Sequence, residues 1–181
     1  MLVERVAPRG WVPPALGEMM TDKLVTVHIT VRDLRGMLPN APTVVSTAFW
    51  VPLAEFVLGR AATFEIVCQR EDTNAIRLLM PLADTIERRR ADGALMFWGS
   101  MTPAIRGAVI SGHGSGHESL WWWQIALERD GEQVFVLKDY GACMDVFGLS
   151  DDEVSQVLEL LPDAARATRV GAARGSPCQH F

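Results

Sequence analysis

Hydrophobic and polar residues alternate most regularly near the start of the chain, in the stretch KLVTVHITVRDL. Val25, Val27, Ile29 and Val31 occupy every second position, and polar residues lie between them. A period of two predicts a β-strand with one buried face. His28 falls on the polar face of this strand, so we expect its side chain to be solvated.

Four further stretches have strand character. TFEIVCQ alternates in the same way, and ALMFWGS is a compact apolar run that predicts a central strand. LWWWQIALE and QVFVLKDY flank an Asp-Gly dipeptide at positions 130–131, which is the strongest β-hairpin signal in the chain. A two-residue loop at this dipeptide would pair Leu127 with Val134.

Helix-start residues indicate three helices. Pro52 suits the first turn of a short buried helix in FWVPLAEFVLGR. Thr102 is a typical N-cap, and Pro103 suits the first position of a helix in TPAIRGAVIS. Ser150 is followed three positions later by Glu153, a capping box that predicts the start of a final helix.

The region 70–91 supports two interpretations. In the first, TNAIRLLMPLADTIERRRADG forms one helix, but Pro81 then lies in its interior, where proline costs about 3 kcal/mol. In the second, EDTN is a turn, AIRLLM is a strand and a shorter helix begins at Pro81. The second interpretation is favoured because it needs no kink.

The mixture of strands and helices defines the predicted fold class. Because the clearest strand pair is an antiparallel hairpin, the sequence predicts an α+β fold in which helices pack on an antiparallel or mixed sheet. A length of 181 residues suits one compact domain. We expect this domain to span residues 21–163, between a loosely ordered N-terminal arm of residues 1–20 and a flexible C-terminal tail of residues 164–181.

Composition bounds the class of function. Hydrophobic residues make up 49% of the chain and charged residues 22%, which is enough to form a core. The net charge of −5 argues against nucleic-acid binding, which needs a basic surface, and suits a basic protein partner. No apolar run reaches the ~18 residues of a membrane-spanning helix. The three cysteines have no CxxC or zinc-ligand spacing, so the sequence predicts a cytoplasmic protein with no cofactor.

The stretch ISGHGSGHESLWWW contains the candidates for chemistry. His113 and His117 lie four residues apart in a glycine-serine loop, and Glu118 follows the second histidine. The spacing is that of HExxH zinc sites, but the intervening glycines do not hold a helix and the glutamate is displaced. The loop could still bring the two histidines together. This gives one candidate function, a small enzyme or a ligand- or metal-binding protein that uses this loop, with Glu118 or Asp139 as acid or base.

Three consecutive tryptophans follow this loop. In an extended strand, Trp121 and Trp123 share a face with Ile125 and Leu127, whereas Trp122 lies on the opposite, mixed face. We therefore expect Trp122 to be the exposed tryptophan, unless a helix covers that face too. Exposed aromatic residues are enriched at the hot spots of protein interfaces.

Asp151 and Asp152 place negative charge at the start of the last helix, where helix capping already explains them. The same carboxylates could contact a basic partner. The sequence therefore favours a non-catalytic protein-binding module of the inhibitor or immunity-protein type, which occludes a basic enzyme or toxin through an aromatic-bearing sheet surface and acidic patches. Trp122, Asp151 and Asp152 are the predicted contact residues, and no metal ligand is assigned. Association of identical copies through a sheet edge is a further alternative.

Overall fold

The computed structural model describes residues 24–31, 47–89, 91–113 and 120–171. These residues form eight β-strands and four α-helices. The strands are β1 (Val25–Val31), β2 (Thr63–Cys68), β3 (Thr85–Arg88), β4 (Leu95–Ser100), β5 (Gln124–Arg129), β6 (Glu132–Lys138), β7 (Cys143–Leu149) and β8 (Ala165–Gly171). The helices are α1 (Trp50–Arg60), α2 (Thr73–Leu79), α3 (Pro103–Ser111) and α4 (Asp151–Leu160). None of these helices is both long and apolar enough to cross a membrane.

All eight strands form one antiparallel sheet, in the order β3-β4-β2-β5-β6-β7-β1-β8. Buried side chains from all four helices join alternate strand residues in a single hydrophobic cluster. The α+β fold that the sequence predicts is therefore confirmed. Side chains on the opposite face, here called the outer face, include one row that crosses all eight strands. Its members are Thr85, Trp98, Glu65, Ala126, Val136, Asp145, His28 and Thr168.

Local signals located most elements correctly. In β1, Val27, Ile29 and Val31 are buried, as the alternation predicted. The Thr102 hydroxyl accepts a hydrogen bond from the backbone N–H of Ile105 at 3.2 Å and so caps α3. The capping box at the start of α4 is also confirmed, with both of its hydrogen bonds present.

Both interpretations of region 70–91 were wrong, because the helix precedes the strand. Helix α2 ends at Leu79, and β3 begins at Thr85. Pro81 lies in the turn between them, where a residue without a backbone N–H ends the helix at no cost to its hydrogen bonding. All four residues of β3 are exposed, which explains why no apolar alternation marked this edge strand.

The hairpin between β5 and β6 is confirmed, but its predicted register was wrong. Asp130 and Gly131 both have positive φ, 54° and 79°, as a type I′ turn requires. A bulge between Leu127 and Glu128 then shifts the pairing by one residue, so that Leu127 faces Phe135 instead of Val134. A bulge adds one unpaired residue to a strand, and no turn sequence announces it.

Part of the predicted C-terminal tail is a strand. Residues Ala165–Gly171 form β8, which pairs along its full length with β1. An edge strand needs backbone hydrogen bonds to one neighbour only, so its alanines and arginines are compatible with this role. The predicted N-terminal arm, residues 1–20, and positions 172–181 lie outside the described residues.

Candidate binding surface

A depression of about 550 Å³ lies on the outer face, over the three neighbouring strands β4, β2 and β5. Trp98 and Met96 of β4 are its half-buried apolar residues, and Glu65 and Glu128 supply two carboxylates. The complete lining is Thr63, Phe64, Glu65, Asp84, Met96, Trp98, Gly99, Ser100, Ala126 and Glu128. The depression therefore combines an aromatic ring with three acidic groups.

The strand register explains why these side chains meet. Trp98 lies directly opposite Glu65 across the β4–β2 pair, and Glu65 lies directly opposite Ala126 across the β2–β5 pair. Directly opposed residues have Cβ atoms about 4.5–5.5 Å apart. Ala126 has the smallest side chain of the row that crosses the sheet, and it lies between Glu65 and Val136.

The carboxylates of the depression differ in their contacts. Asp84 accepts a hydrogen bond from the backbone N–H of Ser100 at 2.8 Å, which holds it at the rim. Glu65 and Glu128 are half-buried, and neither side chain has a hydrogen bond or an ion pair within the part of the chain that the structure describes. Two negative charges thus face the depression without a bonded counter-charge.

An arginine–tryptophan contact lies close to this depression. The Arg89 guanidinium is 5.0 Å from the centre of the Trp123 ring, within cation–π range. Arg89 is also hydrogen-bonded to Asp92, and this bond lowers the pKa of Asp92 to about 2. A hydrogen bond from the Ala94 backbone N–H to the same carboxylate is the second cause of the lowered pKa. The Arg89–Asp92 hydrogen bond is the main cause of a raised Arg89 pKa, to which the charge of Glu65 adds.

The expected exposure of Trp122 was wrong. Its side chain is fully buried, and its indole N–H donates to the backbone oxygen of Val109 at 3.2 Å. Strand β5 begins only at Gln124, so the alternation that placed Trp122 on the mixed face does not extend back to it. Trp121 and Trp123 are the half-buried members of the triplet. The predicted contact role of Trp122 depended on an exposed side chain, and this side chain is buried.

The predicted acidic contacts lie elsewhere on the molecule. Asp151 and Asp152 are exposed in the first turn of α4, on the helix-covered side of the sheet. Asp151 accepts a hydrogen bond from Arg169 of β8 at 3.2 Å. The structure does not bring these two residues together with the depression, and their part in binding stays a prediction.

The histidine loop is described only at its two ends. His113 is half-buried, and its backbone forms an isolated antiparallel β-bridge with Leu120. His117 and Glu118 lie outside the described residues. Asp139 is exposed in a short 3-10 turn and has a φ of 51°. Over the ranges that the structure describes, no group of three His, Cys, Asp or Glu side chains is placed to hold a metal ion.

A histidine–aspartate pair on the outer face was missed by the sequence analysis. His28 Nδ1 lies 2.7 Å from Oδ1 of Asp145, whose side chain is fully buried. The Thr30 hydroxyl lies 3.3 Å from the other ring nitrogen. The expectation of a solvated His28 was wrong, because its side chain is only 21% exposed and is bonded on both sides. No sequence signal links residues 117 positions apart.

Trp98, Glu65 and Glu128 were likewise missed. Each belongs to a strand that the sequence located, and their polar or aromatic character was visible. What the sequence lacked was the strand order, which makes β4, β2 and β5 neighbours although they are not consecutive in the chain.

The sequence matches no protein-family model, no curated protein and no solved structure. No activity can therefore be transferred from a relative. Function must be inferred from the residues and geometry of the outer face.

Proposed function

We propose that the protein is a non-catalytic binding module of the inhibitor or immunity-protein type, which occludes a basic partner protein through its outer face. The observation that carries this proposal is the depression beside Trp98, which joins apolar surface to three carboxylates. None of the described residues that line it is lysine or arginine. A surface of this charge attracts a positively charged partner and disfavours an acidic one.

The shape of this region favours a protein partner over a small metabolite. Small-molecule sites enclose most of the ligand surface within a cleft. Here the lining comes mainly from the outer face of three adjacent strands and from Asp84, while the helices lie on the opposite side of the sheet. A depression that opens onto a sheet surface leaves much of a small ligand in solvent, whereas the strand residues that line it can also contact another protein.

The residue types also resemble those of protein interfaces. Tryptophan and methionine are enriched at interface cores, where they bury a large area, and charged groups at the rim select the partner. Trp98 and Met96 are both half-buried in the isolated chain, so each has surface left to bury in a complex. The overall charge of −5 adds long-range attraction to a basic enzyme or toxin.

The experiment is a complex reconstituted from purified components. A photo-cross-linking amino acid placed at Thr63, which lines the depression, captures a partner, and that partner is then purified separately. We expect a stoichiometric complex in which the partner loses its own activity. Trp98→Ala should weaken binding by about tenfold or more, in the range of interface hot spots.

Leu158→Ala is the matched control, because Leu158 is a hydrophobic residue with exposed surface on α4, on the helix-covered side. It should leave the affinity unchanged. Circular dichroism and unfolding curves must show that both variants are folded. A reconstituted complex that is insensitive to Trp98→Ala, or a bound partner that keeps its full activity, would contradict the proposal.

A further inference from the structure

The half-buried carboxylates of Glu65 and Glu128 favour a positively charged ligand. Partial burial removes water from each negative charge, and a charge without a bonded partner is costly in that environment. Neither side chain is hydrogen-bonded or ion-paired within the described residues. A cationic group that enters the depression would therefore gain two ion pairs and displace no existing bond.

The two glutamates and the Trp98 ring line the same depression. Glu65 is directly opposite Trp98, and Glu128 is two positions along β5 from Ala126, the residue directly opposite Glu65. Diagonal neighbours of this kind are about 7–8 Å apart in a sheet. Glu65 on β2 therefore lies between the strands of Trp98 and Glu128, and all three residues line the same depression.

The molecule itself contains the same type of contact. Arg89 lies over the Trp123 ring at 5.0 Å and is bonded to the carboxylate of Asp92. One guanidinium thus combines stacking on an indole with pairing to an acidic group. Two nitrogens of Arg89, Nε and Nη2, are bonded to Asp92, and Arg89 interacts with Glu65 only through its charge.

We infer that the depression binds the guanidinium group of an arginine side chain presented by the partner protein, stacked on Trp98 and paired with Glu65 and Glu128. This inference rests on the proposed function, since it names the group of the basic partner that the outer face recognises. Arginine is preferred over lysine because its flat guanidinium stacks on an aromatic ring and donates several hydrogen bonds in fixed directions.

Blocked tripeptides test the inference without the partner. Gly-Arg-Gly, Gly-Lys-Gly and Gly-citrulline-Gly are titrated into the full-length protein, and the indole N–H signal of Trp98 is followed by NMR. A Trp98→Phe variant assigns that signal. We expect the arginine peptide to bind with a dissociation constant roughly in the millimolar range. The lysine peptide should bind more weakly, and the neutral citrulline peptide should not shift the signal.

Two further variants identify the carboxylates. Glu65→Gln with Glu128→Gln should weaken the arginine peptide by about tenfold, because both ion pairs are lost while the shape is kept. Glu55→Gln with Glu159→Gln removes the same charge from two exposed positions on α1 and α4 and should leave the affinity within about twofold, because distant exposed charges are screened by salt. No shift at Trp98 with the arginine peptide, or equal binding of the citrulline peptide, overturns the inference.

The outcomes separate this inference from the proposed function. If the reconstituted partner needs Trp98 but tolerates Glu65→Gln with Glu128→Gln, the outer face is the interface and the arginine contact is wrong. If the arginine peptide binds as expected while Trp98→Ala leaves the affinity of the reconstituted complex unchanged, the cation site is supported and the proposed function is wrong.

Discussion

Trp50 on α1 and Trp122 before β5 donate their indole N–H groups to the same backbone oxygen, that of Val109, at 3.0 and 3.2 Å. Val109 lies in the last turn of α3, and its oxygen also accepts a hydrogen bond from the backbone N–H of Gly112, the C-cap residue, at 3.3 Å. The two rings add two side-chain hydrogen bonds to this oxygen at the end of the helix. This shared acceptor connects two helices to the segment that enters the sheet, and it makes Trp122 a core residue.

Replacement of Trp122 should lower stability strongly. Trp122→Ala removes a fully buried ring and is expected to reduce the free energy of unfolding by about 3–5 kcal/mol. Trp122→Phe keeps most of the apolar volume but loses the hydrogen bond to Val109, and should cost about 1–3 kcal/mol. Urea unfolding followed by circular dichroism measures both. A loss below about 1 kcal/mol for Trp122→Ala would contradict the buried position.

Two glycines of the α3 region should respond to alanine in opposite directions. A Cβ at Gly112, the C-cap of α3, would overlap the ring of Trp122, whereas a Cβ at Gly107 within α3 meets nothing within 4 Å. Gly112→Ala should therefore destabilise by about 1–3 kcal/mol through overpacking. Gly107→Ala should stabilise by about 0.5–1 kcal/mol because alanine is the better helix former. Thermal unfolding compares the pair, and a Gly112→Ala protein as stable as the wild type would show that the ring is not held there.

Cys68 should be unreactive in the folded protein. Burial, with a smaller effect of the Asp72 charge, raises the pKa of the Cys68 thiol from 9.0 to about 12. Only the thiolate is nucleophilic. At pH 8, iodoacetamide should leave the Cys68 peptide unmodified in the native protein and modify it in denaturant, as mass spectrometry would show. Rapid modification of the native protein at this site would contradict the buried thiol.

The same pKa shift predicts a loss of stability at high pH. In the unfolded chain the thiol loses its proton above pH 9, whereas the folded protein keeps it until about pH 12. The unfolded state then binds fewer protons, so stability falls with rising pH between these values. Relative to Cys68→Ala, the wild type should lose about 1 kcal/mol per pH unit in this window. Parallel pH profiles of the two proteins would contradict the shift.

The His28–Asp145 pair should be energetically coupled. His28→Ala removes one donor from a fully buried carboxylate, which is expected to cost about 1–3 kcal/mol. Asp145→Asn keeps an acceptor oxygen and should cost less. A double-mutant cycle should give a coupling of about 1 kcal/mol or more, and strictly additive effects would count against the hydrogen bond. Thr168→Ala is the control, because Thr168 is exposed on β8 directly opposite His28.

Elements defined by contacts between near neighbours in the chain were predictable from the sequence. The alternation in β1 reflects the period of a strand, and the caps at Thr102 and Ser150 join residues three positions apart. The Asp-Gly turn at positions 130–131 needs only two residues of positive φ. Each of these features depends on the local backbone, so a short stretch of sequence contains all the information it needs.

The tertiary structure decided which of these elements are neighbours and what each side chain contacts. The burial of Trp122 depends on Val109 and Trp50, and the shift in the β5–β6 pairing depends on a bulge that leaves no local signal. The depression exists because β2 lies between β4 and β5, although α2 and β3 separate β2 from β4 in the chain. Burial and cross-strand contact are properties of packed layers, and residues far apart in sequence determine them together.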